Sequence, residues 1–331
     1  MSETRKNDHI DLTFKSNPTK KINTYNLKYE PLFSPHPNNF GESRTYDILN
    51  HKLRLPLWVS SMTGGAKRAL DINHNLAKAC GEFGFGMGLG SCRVLLNDKS
   101  RFKDFDVKHL MPDMPLYSNF GIAQLEELVA NKNLGKINEL NADLRVDGMV
   151  IHVNPLQEWA QPEGDQFKRA PIDTIRILCE EMSLPLIVKE VGQGFGPKSL
   201  AALLSLPLQA IETAGFGGTN FTNIELARLY GSKSGKYSPK TEVGSIGNSC
   251  DEMLEWLNSF DIKSAQCREI IISGGISGVA EGYALSQSCQ FESIFGMASN
   301  ILKHAMGEYR ELKDYLDEVK SVIGICEAYL K

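Results

Sequence analysis

A chain of 331 residues, 42% hydrophobic and 23% charged, has ordinary globular composition and enough length for one large core or two smaller ones. Its 36 basic and 40 acidic residues leave a formal net charge of −4, which gives no electrostatic footprint for nucleic acid. No run approaches the roughly 18 apolar residues of a membrane span, so no membrane partner is expected.

The opening stretch, MSETRKNDHIDLTFKSNPTKK, is polar and mixed in charge and does not read as a secretory signal. The seven cysteines are dispersed and none forms a CxxC pair. That disfavours a zinc ribbon or redox pair and suits a reducing, cytoplasmic setting. Residues 1–54 are expected to be an N-terminal arm, with LKYEPLFSPH as a short arm or hairpin. From residue 55 to 331, short apolar runs recur, each followed by turn residues. They begin LPLWVSSMTGG at Leu55, FGFGMGLGS at Phe83, MPLYSNFG at Met114, GMVIHVNP at Gly148, LPLIVKEVGQG at Leu184, AIETAGFGGT at Ala210, EIIISGGI at Glu269 and SIFGMAS at Ser293. Helical patterns such as LDINHNLAKACGEF and PIDTIRILCEEM lie between them. Strands alternating with helices imply a parallel sheet, and eight of them close a (β/α)₈ TIM barrel. An open doubly wound sheet is the alternative, but SSMTGG after the first strand is not the GxGxxG fingerprint. The longest spacing, between the sixth and seventh strands, contains YGSKSGKYSPKTEVGSIGNS. This loop, within 228–250, is either a surface insertion or a lid on the catalytic side. The C-terminal EYRELKDYLDEVKSVIGICEAYL is an amphipathic helix expected to pack on the barrel.

Chemistry in this fold sits at the carboxyl ends of the strands. There the chain places mostly polar residues and glycine. Turn preference explains much of that, but not Lys189 inside PLIVKEV, since a lysine in a buried strand needs a partner. Gly84, Gly86, Gly88 and Gly90 alternate along the second strand and leave one face bare, for a ligand or for close packing. Glycines in GFGGT, SGG and FGMAS, on the last three strands, suit a phosphate nest and hence a phosphorylated cofactor such as FMN. In HVNPLQEWAQPEGD, His152 and Asn154 are expected on one strand face toward the barrel mouth, with Gln157 and Glu158 just beyond. A lone carboxylate beside Asn and Gln fits Mg²⁺ completed by substrate phosphate; Glu163 and Asp165 read more simply as a solvated acidic loop.

These motifs, with RKNDHI, GLGS, NFG and IVKEVGQG, resemble type 2 isopentenyl-diphosphate isomerase, the FMN-dependent kind, in order along most of the chain. HxNxxQE…PEGD is the most specific of them. The resemblance implies a barrel enzyme of isoprenoid biosynthesis. It would interconvert homoallylic and allylic diphosphates, with FMN reduced by NADPH as the acid–base group and Mg²⁺ on the diphosphate. It implies flavin contacts from Met62, Thr63, Gly64, Ser91, Asn119, Lys189 and Thr219, with Gly274, Gly275, Met297 and Ala298 near the phosphate. It implies substrate contacts from Arg5, Lys6, His9, Ser91, Cys92, Arg93, His152 and Asn154, catalytic positions at Gln157 and Lys189, and Glu158 as the metal ligand. A homo-oligomer, tetramer or octamer, is also implied. Departures include Glu212 where the family often has Asp, Cys92 for a common Gln, and GGISGVAEGYALSQSCQ, which lacks the usual Asp and Lys. The alternatives are a hydroxy-acid-oxidase-like flavoenzyme, disfavoured by the lack of His in CREIIISGGIS, and a catalytically silent flavin- or phosphate-binding barrel.

Overall fold

Eight short parallel strands close on one another, and two more form a hairpin beneath them. The computed structural model describes residues 3–13, 15, 21–37, 44–61, 68–230 and 238–331. The hairpin is β1 (Tyr46–Ile48) and β2 (His51–Leu53), paired antiparallel. The barrel strands are β3 (Leu57–Val59), β4 (Gly86–Gly88), β5 (Leu116–Gly121), β6 (Gly148–His152), β7 (Leu186–Lys189), β8 (Ala210–Glu212), β9 (Glu269–Ser273) and β10 (Glu292–Met297). They pair in chain order and β10 returns to β3, so the expected TIM barrel is what the chain forms. Helices separate successive barrel strands. The pattern LDINHNLAKACGEF lies on the helix Ala69–Phe83, and PIDTIRILCEE on Pro171–Glu181, with proline opening the first turn. The C-terminal helix Tyr309–Tyr329 buries Leu312, Leu316, Val319, Ile323 and Cys326 in the outer core, as its periodicity requires.

Alternation along the strands divides the barrel into layers. Outward residues such as Leu57, Met87, Leu116, Met149, Val188 and Ile270 join the helices in one large core. Inward residues Trp58, Tyr117, Val150, Ile187, Ala210, Ile271 and Ile294 form a second core with Tyr46, Ile48, Leu49 and Leu53 of the hairpin. The hairpin therefore plugs the N-terminal end, tied by Leu49 N–H to Glu269 Oε2 at 2.9 Å. Two residues further along each strand, the inward positions are Ser60, Asn119, His152, Lys189, Glu212, Ser273 and Gly296. The floor is apolar and the ceiling polar.

Two expectations change. β4 spans only Gly86–Gly88, and Gly84 instead ends the preceding helix at φ +81°. A Cβ on Gly86 would lie 2.7 Å from the Trp58 ring, so the missing side chain there accommodates an indole and not a ligand. LKYEPLFSPH forms no hairpin of its own. Its Tyr29 bridges Leu330, and Lys28 and Lys331 exchange backbone hydrogen bonds. Among the described residues, no helix is long and apolar enough to cross a membrane.

Candidate active site

The polar ceiling opens into a cleft at the carboxyl ends of the strands. Lys189 lies at its base, 5% exposed. Its Nζ donates to the Glu190 carbonyl at 2.6 Å, its one hydrogen bond among the described residues. A buried ammonium so thinly partnered costs several kcal/mol unless a ligand completes it. On the neighbouring strand, Glu212 is fully buried; Ser273 Oγ donates to its Oε1 at 3.1 Å, while Oε2 has no partner among the described residues. The hydroxyls of Ser60 and Ser61 are buried and have no partner among the described residues either, and both line the cleft. Unsatisfied polar atoms gathered on one wall call for a polar ligand.

The other wall is backbone. Gly218, Thr219, Gly274, Gly275, Met297 and Ala298 all line the cleft, from the loops after β8 and β9 and from the end of β10 onward. Gly274 sits at φ +89°, and a Cβ there would be 2.2 Å from the Gly215 nitrogen, so no other residue permits this approach of two loops. Bare backbone on three adjacent loops suits the phosphate of a phosphorylated cofactor. The hydroxyls, the buried cation and this cradle together fit FMN.

A second cluster spans the neighbouring loops. The strand β6 delivers His152, whose Nδ1 lies 2.8 Å from Asn119 Oδ1. Burial and then the Lys189 ammonium push the imidazole down to about 3, so it is neutral at ordinary pH. Helix Pro155–Ala160 follows, with proline at its start and Glu158 in its first turn. Asn154 Nδ2 reaches Gln157 Oε1 at 3.1 Å and Glu158 Oε1 at 2.8 Å. Glu158 Oε2 accepts from the Asp165 N–H at 2.8 Å. Asp165 Oδ2 in turn accepts from Arg93 at 2.9 Å and from Gln124 Nε2 at 3.0 Å. No group of three or more metal-ligating side chains exists among the described residues. Glu158 alone therefore fits a Mg²⁺ ion only if a ligand phosphate supplies much of the shell.

The expected residues thus fall into two neighbouring groups, with exceptions. Met62, Thr63 and Gly64 lie outside the described residues. Arg5, Lys6 and His9 are exposed on the helix Glu3–Thr13, and Ser91 and Arg93 are exposed beside the mouth. Cys92 corrects the expectation of a substrate contact. Its side chain is fully buried in the outer core and burial pushes the thiol up to about 12, so no thiol faces the mouth. Asn154 is another correction. The strand ends at His152, so Asn154 shares no strand face with it and instead precedes the helix, 2% exposed. Sequence reasoning passed over Ser60 and Gln124, and it set Asp165 aside as solvated. The signal for Asp165 was the motif PEGD itself, because a Cβ on Gly164 would lie 1.9 Å from the Glu158 carbonyl and the loop must fold back there.

No family model matches the chain. The isopentenyl-diphosphate delta-isomerase of Rickettsia typhi is 32% identical over 310 residues, 91% of this chain and 85% of that protein. That of Rickettsia prowazekii is 33% identical over the same length. Among solved structures, a mandelate oxidase variant with a monooxide FMN adduct superimposes with a TM-score of 0.56 at 10% identity, covering 89% of this chain and 82% of that one. The same variant with (S)-mandelic acid gives 0.57 at 11% identity over 91% and 82%. Likeness at that identity speaks for the barrel alone. Identity of 32% across nine-tenths of the sequence speaks for more: the chain belongs to the isopentenyl-diphosphate delta-isomerases.

Proposed function

We propose that this isomerase is of the FMN-dependent type and works with reduced FMN in the cleft and Mg²⁺ on the substrate diphosphate. The observation that carries the reading is Lys189, a buried ammonium with one hydrogen bond among the described residues, facing a glycine-lined cleft with buried serine hydroxyls that have no partner among those residues. Bound there in its reduced state, FMN supplies an acid–base group for moving a double bond, which needs one proton added to an alkene and another removed.

The chain's own residues hold and orient. Lys189 provides a fixed positive charge against the anionic cofactor, an electrostatic role that needs no reorganisation. Gln157 has no titratable group, so it orients and does not serve as the primary acid. Glu158 gives Mg²⁺ one carboxylate. Arg93, with Arg5, Lys6 and His9 of the N-terminal arm, carries the diphosphate. His152 is neutral and contributes hydrogen bonding without charge. Met62, Thr63, Gly64, Asn119 and Thr219 complete the flavin site in this reading. NADPH is the proposed reductant, the cytoplasm the proposed setting, and a tetramer or octamer the proposed assembly.

The oxidase alternative needs an imidazole base and a guanidinium in the cleft. Neither a histidine nor an arginine is among the described residues that line it. Fluorescence titration tests the cofactor assignment. FMN emission should be quenched to an end point of one flavin per chain; an unchanged emission at micromolar protein would overturn the reading.

A further inference from the structure

We infer that Asp165 is a positioning residue that aims Arg93 at the substrate diphosphate and fixes it relative to Glu158. The inference rests on the reading of Glu158 and Arg93 just given. Three loops meet at this one residue. Its carboxylate takes Arg93 from the loop after β4 and Gln124 from the helix after β5. Its backbone N–H holds Glu158 Oε2 on the helix after β6.

Each strut is itself anchored. Gln124 Oε1 accepts the Gly121 N–H at 3.0 Å, at the end of β5. Glu158 is pinned on its other oxygen by Asn154, which is buried. Gly164 brings the loop back over the Glu158 carbonyl, where a side chain has no room. Asp165 thus has one geometry, and the guanidinium that pairs with it inherits that geometry.

The pair does little for the fold. The side chains of Arg93 and Asp165 are 55% and 37% exposed, and exposed ion pairs add little to stability. What it supplies is direction. A long arginine otherwise samples many rotamers, and ordering it on binding weakens the contact. Held by Asp165, its guanidinium keeps free N–H groups for a phosphate oxygen on the same side as the Glu158 carboxylate. The anion and its metal then meet two prepositioned groups of opposite charge.

Calorimetric titration of the FMN holoenzyme with inorganic diphosphate and Mg²⁺ tests this, alongside steady-state kinetics. Asp165→Asn retains the backbone N–H to Glu158 and an acceptor for Gln124 while removing the negative charge. Diphosphate affinity should fall about 10-fold and KM should rise in proportion, with kcat and the flavin spectrum little changed. Arg93→Gln should lose at least as much, and Asp165→Asn should add almost nothing on top of it, because both act through one guanidinium. Additive losses, as a merely structural aspartate would give, overturn the proposal. So does an Asp165→Asn protein that binds diphosphate as well as or more tightly than the parent. In either case a parent holoenzyme that binds diphosphate leaves the proposed function standing. A parent that binds none overturns both.

Discussion

Lys189 was legible in the sequence because a lysine inside PLIVKEV contradicts its neighbours. Its use was not, because the one hydrogen bond to Glu190 could not be read from spacing. Replacing it by methionine keeps the aliphatic stem and deletes the charge. Lys189→Met should fold, bind flavin more weakly, and show a midpoint potential lower by about 30 mV or more, the equivalent of roughly 1.4 kcal/mol for a two-electron couple. Spectroelectrochemistry gives the value, and an unchanged potential would remove Lys189 from the cofactor. His152 makes a second prediction through its environment. Its folded-state value is pushed from 6.5 down to about 3, so the unfolded chain takes up the proton first as pH falls. Stability from this group is complete above about pH 6.5 and is lost progressively toward pH 3, by up to roughly 1.4 kcal/mol per pH unit. His152→Asn keeps an amide donor for Asn119 and has nothing to titrate. Its urea midpoint should therefore fall less steeply between pH 6.5 and 4 than the parent's; parallel curves would mean that His152 is not neutral in the fold.

At the scale of elements, periodicity located the eight strands and the long helices, because apolar alternation is dictated by burial. It could not place contacts between loops, and so it left the 228–250 insertion undecided between surface ornament and lid. The stretch 238–249 is fastened by Gln193 of the loop after β7. Its Nε2 donates to the carbonyls of Ile246 at 2.6 Å and Val243 at 3.3 Å, and its Oε1 accepts from Thr222 at 2.6 Å. Asn220 and Asn223 both reach the Gly244 carbonyl at 3.1 Å. The segment is therefore joined to the loops whose Val191, Gly192 and Thr219 line the cleft. Gln193→Ala removes three hydrogen bonds, each worth about 1 kcal/mol. Amide exchange at 243–248 should speed up by at least about 10-fold while the barrel strands stay protected. Exchange rates equal to the parent's would show that the segment is held by other contacts.

For the whole molecule, one alternation organises both stability and chemistry. Inward residues are apolar from the hairpin up to the Trp58 and Tyr117 layer, whose rings meet edge to face at 5.7 Å. Two residues on, they become Ser60, Asn119, His152, Lys189, Glu212 and Ser273, and of these Ser60, Lys189, Glu212 and Ser273 line the cleft. The sequence revealed this architecture because a strand's faces are written in its alternation. It concealed the plug, because β1 and β2 are three-residue strands without a lengthy pattern, and it concealed the Asp165 junction, which joins residues 72 apart. On the function proposed above, the barrel isomerises isopentenyl diphosphate only with reduced flavin in the cleft. Anaerobic proton NMR of isopentenyl diphosphate with the Mg²⁺-supplied holoenzyme tests it most directly, comparing oxidised with reduced FMN in the same preparation. Dimethylallyl diphosphate should accumulate with reduced FMN and be at background with oxidised FMN. Equal turnover in the two states, or turnover by flavin-free protein, would contradict the account.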